Sequence, residues 1–168
     1  MKMVEIHTKV SYGGNGVCEV ADICEKTIDG TVKRFYVLNP VQGDGAVIYV
    51  PVDSEKLMRR MHQLMTEDEA KSLIRQMPAA ETNWIEDEKM RCAYEKSVLS
   101  SGDRMALVSM TKSLYEQKQM LAAKGKRLRT ADAQALKQGE NKLFGELSVV
   151  LRIERDQVLK CIQDLLAE

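Results

Sequence analysis

Histidine is scarce in this sequence: His7 and His62 are the only two among 168 residues. No H-E-x-x-H, G-x-S-x-G or G-x-x-x-x-G-K-[ST] pattern occurs, so zinc-protease, serine-hydrolase and P-loop translocase chemistry have nothing to run on. The four cysteines, Cys18, Cys24, Cys92 and Cys161, contain no C-x-x-C pair. They read as reduced thiols packed as small apolar side chains, not as a zinc set. Gly13-Gly14-Asn15-Gly16 is rich in glycine but is not followed by Lys-Ser/Thr, which leaves a strand-to-strand turn. No acid, base and nucleophile assemble, so the chain is expected to be no enzyme, with no metal and no cofactor. Long apolar runs are also lacking. None approaches the roughly 18 residues of a membrane helix. Charges at Lys2, Glu5 and Lys9 interrupt any signal-peptide core. The expected place is the cytoplasm.

Net charge is absent too, at 25 basic against 25 acidic residues, so it points to no partner class. Its distribution is weakly polar: residues 1–70 carry 8 basic and 11 acidic side chains, a net of −3, and the remainder carries the opposite excess.

What is present falls into two halves. Over residues 1–52 turn signals recur at Gly13–Gly16, Asp29-Gly30 and Gln42-Gly43-Asp44-Gly45. They separate strand-like runs at 17–25, 31–38 and 46–52, and Asp29-Gly30 is a two-residue hairpin signal. A small antiparallel barrel or half-barrel is expected, with some edge exposed or covered by a partner. From about residue 55 the pattern turns helical. Leu57, Met58, Met61, Leu64 and Met65 have helical spacing, with a linker as the alternative. Thr66 with Glu69 forms a capping box, and Pro78 ends that helix. Asn83 with Glu86 matches the same cap and puts Trp84 at a first helical position. Ser100 with Asp103, and Thr130, open later helices. The fold class predicted is α+β: a β module at 1–55 and an all-helical bundle at 56–168.

Two features carry candidate chemistry. Lys124, Lys126, Arg127 and Arg129 surround Gly125, and with Lys112 and Lys118 they give six basic residues against one acid, Glu116, between 112 and 129. That is either a solvated connection between helices or a phosphate-binding footprint. Trp84 is the only tryptophan. It is either core or, at an element junction, an aromatic able to stack on or wedge between bases. Glu86-Asp87-Glu88 reads as a helix's acidic first turn instead of a catalytic carboxylate pair.

Val10-Ser11-Tyr12-Gly13-Gly14-Asn15-Gly16-Val17, Asp29-Gly30 before Phe35-Tyr36-Val37-Leu38, Tyr49-Val50-Pro51-Val52, Thr82-Asn83-Trp84, Ser101-Gly102-Asp103 and Gly145-Glu146-Leu147 together resemble the CarD/CdnL family of bacterial transcription factors, in order and spacing. The resemblance implies a Tudor/SH3-like N-terminal module that binds the RNA polymerase β subunit, and a helical domain that stabilises the open promoter complex. It implies polymerase contacts at Lys26, Arg34 and Tyr49, a wedge at Trp84 and a DNA-backbone role for Lys89. A DNA-contacting lysine of the family falls on Ala133, and Lys124, Lys126, Arg127 and Arg129 are expected to substitute. The partners expected are polymerase and, weakly and without sequence specificity, promoter DNA, reached by a monomer in the bacterial nucleoid. A protein-interaction module without DNA contact is the alternative. A relative of the transcription–repair coupling factor shares the β module.

Overall fold

A computed structural model describes residues 4–42 and 45–168; Met1 to Met3 and the Gly43-Asp44 part of the third turn signal lie outside the described residues. The chain divides into two compact units, Met1–Leu64 and Met65–Glu168.

The first unit is a five-stranded antiparallel sheet in the order β4-β3-β2-β1-β5. Its strands are β1 (Lys9–Tyr12), β2 (Val17–Ile28), β3 (Thr31–Pro40), β4 (Ile48–Pro51) and β5 (Met61–Gln63). A four-residue helix α1 (Glu55–Met58) precedes β5. The hairpin between β2 and β3 turns on Asp29 (φ 51°) and Gly30 (φ 77°). Positive φ at both positions is the type I′ geometry, whose twist matches the flanking strands.

A bulge between Val20 and Asp22 shifts the pairing from Val20↔Leu38 to Asp22↔Val37. It reverses the alternation of β2, because the side-chain period is two. Cys18, Val20 and, past the bulge, Ile23 therefore all pack with Val10, Tyr36, Leu38, Val50 and Met58 in one core. The same reversal sends Lys26 to the opposite face. Burial pushes the Cys18 thiol up to about 11, which keeps it protonated and inert at neutral pH.

The expected boundary at 55/56 and the helical reading of 57–65 both need correction. Only Glu55–Met58 is helical; Met61, His62 and Gln63 pair with Tyr12, Ser11 and Val10. The ladder with β1 overrides the local spacing, and the first unit extends to Leu64.

The second unit is helical: α2 (Glu67–Gln76), α3 (Glu88–Ser101), α4 (Arg104–Ala123), α5 (Thr130–Leu151) and α6 (Val158–Leu166). Thr66 and Glu69 form the expected capping box on α2. Asp103 caps α4 by accepting from the Ala106 amide, whereas Ser100 remains inside α3. Thr130 is the first residue of α5, after Arg129. The core joins Ile74, Val98, Leu107, Leu114, Leu136, Leu147 and Val158 among others. At Gly139 of α5 a Cβ would sit 2.7 Å from Thr111 Oγ1 of α4, so the absence of a side chain permits that close approach.

Buried charges tie the helices together. Glu146 of α5 accepts from the Met65 amide at 2.9 Å and from Arg104 at 2.6 and 2.9 Å. Lys142 donates to the Leu99 carbonyl at 2.5 Å, in the last turn of α3, where a cation complements the helix dipole. Burial pulls its pKa down to about 8.

Candidate functional site

Trp84 lies in an irregular segment between Pro78 and α3, not on a helix. The expected cap at Asn83 does not form. Asp87 caps α3 instead, its Oδ1 accepting from the Met90 amide at 2.9 Å. The reason is Arg91, whose Nη1 donates to the carbonyls of Ile85 (2.9 Å) and Glu86 (3.4 Å). Those are acceptors that a helix begun at Trp84 would need. Of the acidic run, Glu88 opens the helix, Asp87 caps it and Glu86 precedes it.

Trp84 is half-buried. It packs against the helical core on one side, and the Arg91 guanidinium carbon lies 4.4 Å from its ring centroid. Arg91 is itself buried, with Nε and Nη2 donating to the two Asp132 oxygens of α5 at 2.8 and 2.9 Å. Glu95, one turn along α3 and also buried, places Oε1 3.9 Å from Arg91 Nε. Burial, then hydrogen bonding and charge repulsion from Asp132, push the Glu95 pKa to about 7 against the pull of Arg91.

Trp84 also borders a cleft of about 230 Å³ shared with Gln117, Leu121, Arg127, Arg129 and Asp132. This brings Trp84 together with part of the basic connection. Lys124, Lys126, Arg127 and Arg129 are all exposed between α4 and α5, beside Gly125 at φ 71°. Arg129 forms an ion pair with Glu88, so part of its charge is already matched. Lys89 is exposed on the first turn of α3, and Ala133 is exposed next to buried Asp132. Lys112, counted with the basic cluster, does not belong to it. Its ammonium donates to the carbonyls of Ala80 (3.0 Å), Pro78 (3.1 Å) and Met77 (3.4 Å), fixing the stretch that leads to Trp84. Arg91, Asp132 and Glu95 were missed by sequence reasoning. Arg91 and Glu95 lie on α3 and their partner Asp132 on α5, 41 residues from Arg91, so no local spacing joins them.

In the β unit the register puts Cys24, Lys26, Lys33, Phe35, Val37 and Tyr49 on one face. Lys26 Nζ sits 3.7 Å over the centroid of the exposed Tyr49 ring. Arg34 is exposed, but it pairs with Glu25 and points to the other face. Two of the three expected polymerase contacts are therefore together and one is apart. Tyr49 belongs to β4, an edge of the sheet. The Val52 amide bonds to the Arg34 carbonyl, so ladder alternation turns the backbone groups of Tyr49 away from β3.

Residues 5–62 match the family model of the CarD-like/TRCF RID domain. The N-terminal unit is a CarD-like/TRCF RID domain. The match spans β1 to β4 and ends within β5; it does not extend over the helical unit. No curated protein matches the chain. The domain is a Tudor-like protein-interaction module with RNA polymerase as its partner, which gives the chain a transcription-related function. Among the described residues no helix is long and apolar enough to cross a membrane.

Proposed function

We propose that the chain is a transcription regulator that docks on the β subunit of RNA polymerase through its RID domain and stabilises the open promoter complex through its helical unit, in the nucleoid. The observation that carries the reading is the placing of a half-exposed Trp84 on an anchored guanidinium, beside the exposed cations Arg127 and Arg129. Such a site offers an aromatic face to a base and positive charge to its phosphates. Crosslinking of residues around Trp84 to promoter DNA in the polymerase complex tests it. Crosslinks to protein alone would favour the second reading, docking without DNA contact. The acidic run Glu86-Asp87-Glu88 and the Arg129–Glu88 pair speak for that alternative, because they offset local positive charge.

On the polymerase side, Lys26 and Tyr49 offer a cation and an aromatic at β4, the outermost strand of the sheet, an arrangement suited to strand addition. Lys26→Glu in the full chain is expected to weaken capture of the β subunit by roughly tenfold, the size of one interfacial charge contact. The same substitution leaves the fold intact, because Lys26 is exposed. Undiminished capture would remove Lys26 from the interface.

On the DNA side, replacing Lys124, Lys126, Arg127 and Arg129 by Gln is expected to weaken binding evenly across sequences. The salt slope should fall by about 0.9 for each phosphate that is no longer neutralised. Arg129 should account for the smallest share, since Glu88 already matches part of its charge. An unchanged slope would make the cluster a solvated helix connection.

A further inference from the structure

The segment from Ala80 to Glu86 has neither helix nor strand to satisfy its backbone, so other groups must hold it. Two cations from two helices do so. Lys112 of α4 gathers the carbonyls of Met77, Pro78 and Ala80 upstream of Trp84. Arg91 of α3 takes those of Ile85 and Glu86 immediately downstream. Arg91 does more than close a gap in hydrogen bonding. All of its nitrogens point along the edge of the guanidinium, to Asp132 and to Ile85 and Glu86. The flat face remains for the indole, at 4.4 Å. One planar group thus fixes both the ring of Trp84 and the backbone next to it, and Asp132 ties that group to α5.

We propose that Arg91 is a positioning residue: anchored on Asp132 beside Glu95, it sets the plane and direction in which Trp84 is presented at the surface. An ion pair serving stability alone needs only the Arg91–Asp132 contact. The stacking on a half-exposed aromatic, and the grip on the Ile85 carbonyl, are what a presentation role adds. The inference rests on the proposed DNA contact only for its last readout, since the position of Trp84 is measurable without DNA.

Because Trp84 is the only tryptophan, its fluorescence reports this site alone. Two variants are compared with the wild-type full chain. Arg91→Lys keeps the charge but has neither a planar face nor a bidentate edge. The triple variant Arg91→Met, Glu95→Gln, Asp132→Asn removes the charges together, so that no buried carboxylate is left unpaired if the single change fails to fold. In either folded variant, Trp84 emission is expected to move to longer wavelength and to lose its protection from acrylamide. Unchanged emission and quenching overturn the proposal. Time-resolved anisotropy of the wild type decides independently of any variant. An indole tumbling with the protein supports the proposal, and one relaxing on the picosecond scale of a free side chain overturns it. The final arm measures open-complex decay. A lifetime shortened as far as in Trp84→Ala joins Arg91 to the DNA contact. A freed indole with an unchanged lifetime leaves the positioning role standing and removes Trp84 from the DNA contact.

Discussion

Trp84→Ala is expected to shorten the lifetime of the open promoter complex by roughly fivefold to a hundredfold while capture of RNA polymerase is retained. The range follows from the roughly 1–3 kcal/mol that base–aromatic stacking is worth, at about 1.4 kcal/mol per factor of ten. Retention of capture follows from the division of the chain. The RID domain has its own core around Tyr36, Leu38 and Val50, and Trp84 belongs to the other unit. Some stability is lost as well, because the indole packs on the helical core and against Arg91. A fully buried tryptophan would cost about 3–5 kcal/mol on truncation. A half-buried one with a cation stacked on it should cost about 1–2 kcal/mol. Promoter-complex decay and thermal melting of the same variant separate the two effects. A collapse of melting temperature together with loss of polymerase capture would make Trp84 a structural residue.

What was legible in the sequence was local chemistry with few competitors. Asp29-Gly30 tolerates positive φ at both turn positions, and the hairpin turns there. Thr66 and Glu69 satisfy each other's amides within four residues, and the capping box forms. What was not legible depended on partners far along the chain. Met61 and Leu64 continue the spacing of Leu57, yet β1, some fifty residues earlier, recruits Met61–Gln63 as a strand. Asn83-x-x-Glu86 and Asp87-x-x-Met90 are both plausible helix starts. The choice falls to Arg91, which occupies the carbonyls the earlier start requires. Trp84 shows the same limit: core and surface were posed as alternatives, and one ring serves both because its two sides meet different surroundings. The bulge at β2 is a further case, since nothing in Val20-Ala21-Asp22 announces that Lys26 will change face.

Raising the pH from about 5 to about 7 is expected to destabilise the helical unit, and Glu95→Gln should remove most of that dependence. The Glu95 pKa is raised from 4.5 to about 7 in the folded chain, chiefly by burial, with Asp132 adding to the shift and Arg91 opposing it. A raised folded pKa means that the folded state holds the proton more tightly than the unfolded state does. The resulting stabilisation is fully present below about pH 4.5 and is lost as pH climbs through about 7. A difference of that size corresponds to on the order of 3 kcal/mol. Lys142 does not confuse the window. Its pKa is lowered to about 8, so its contribution changes only above that, growing more favourable toward 10.5. Glutamine is close in shape to the protonated acid and bears no charge at any pH, so Glu95→Gln should melt higher than wild type at pH 8 and nearly equal to it at pH 5. Equal pH slopes in the two proteins would show that Glu95 does not titrate in this range. Above about pH 7 the wild-type cluster gains a second charge, on Glu95 beside Arg91, that the variant lacks. The indole's protection from acrylamide, followed across the same titration, then reports whether that second charge disturbs the platform or leaves it in place.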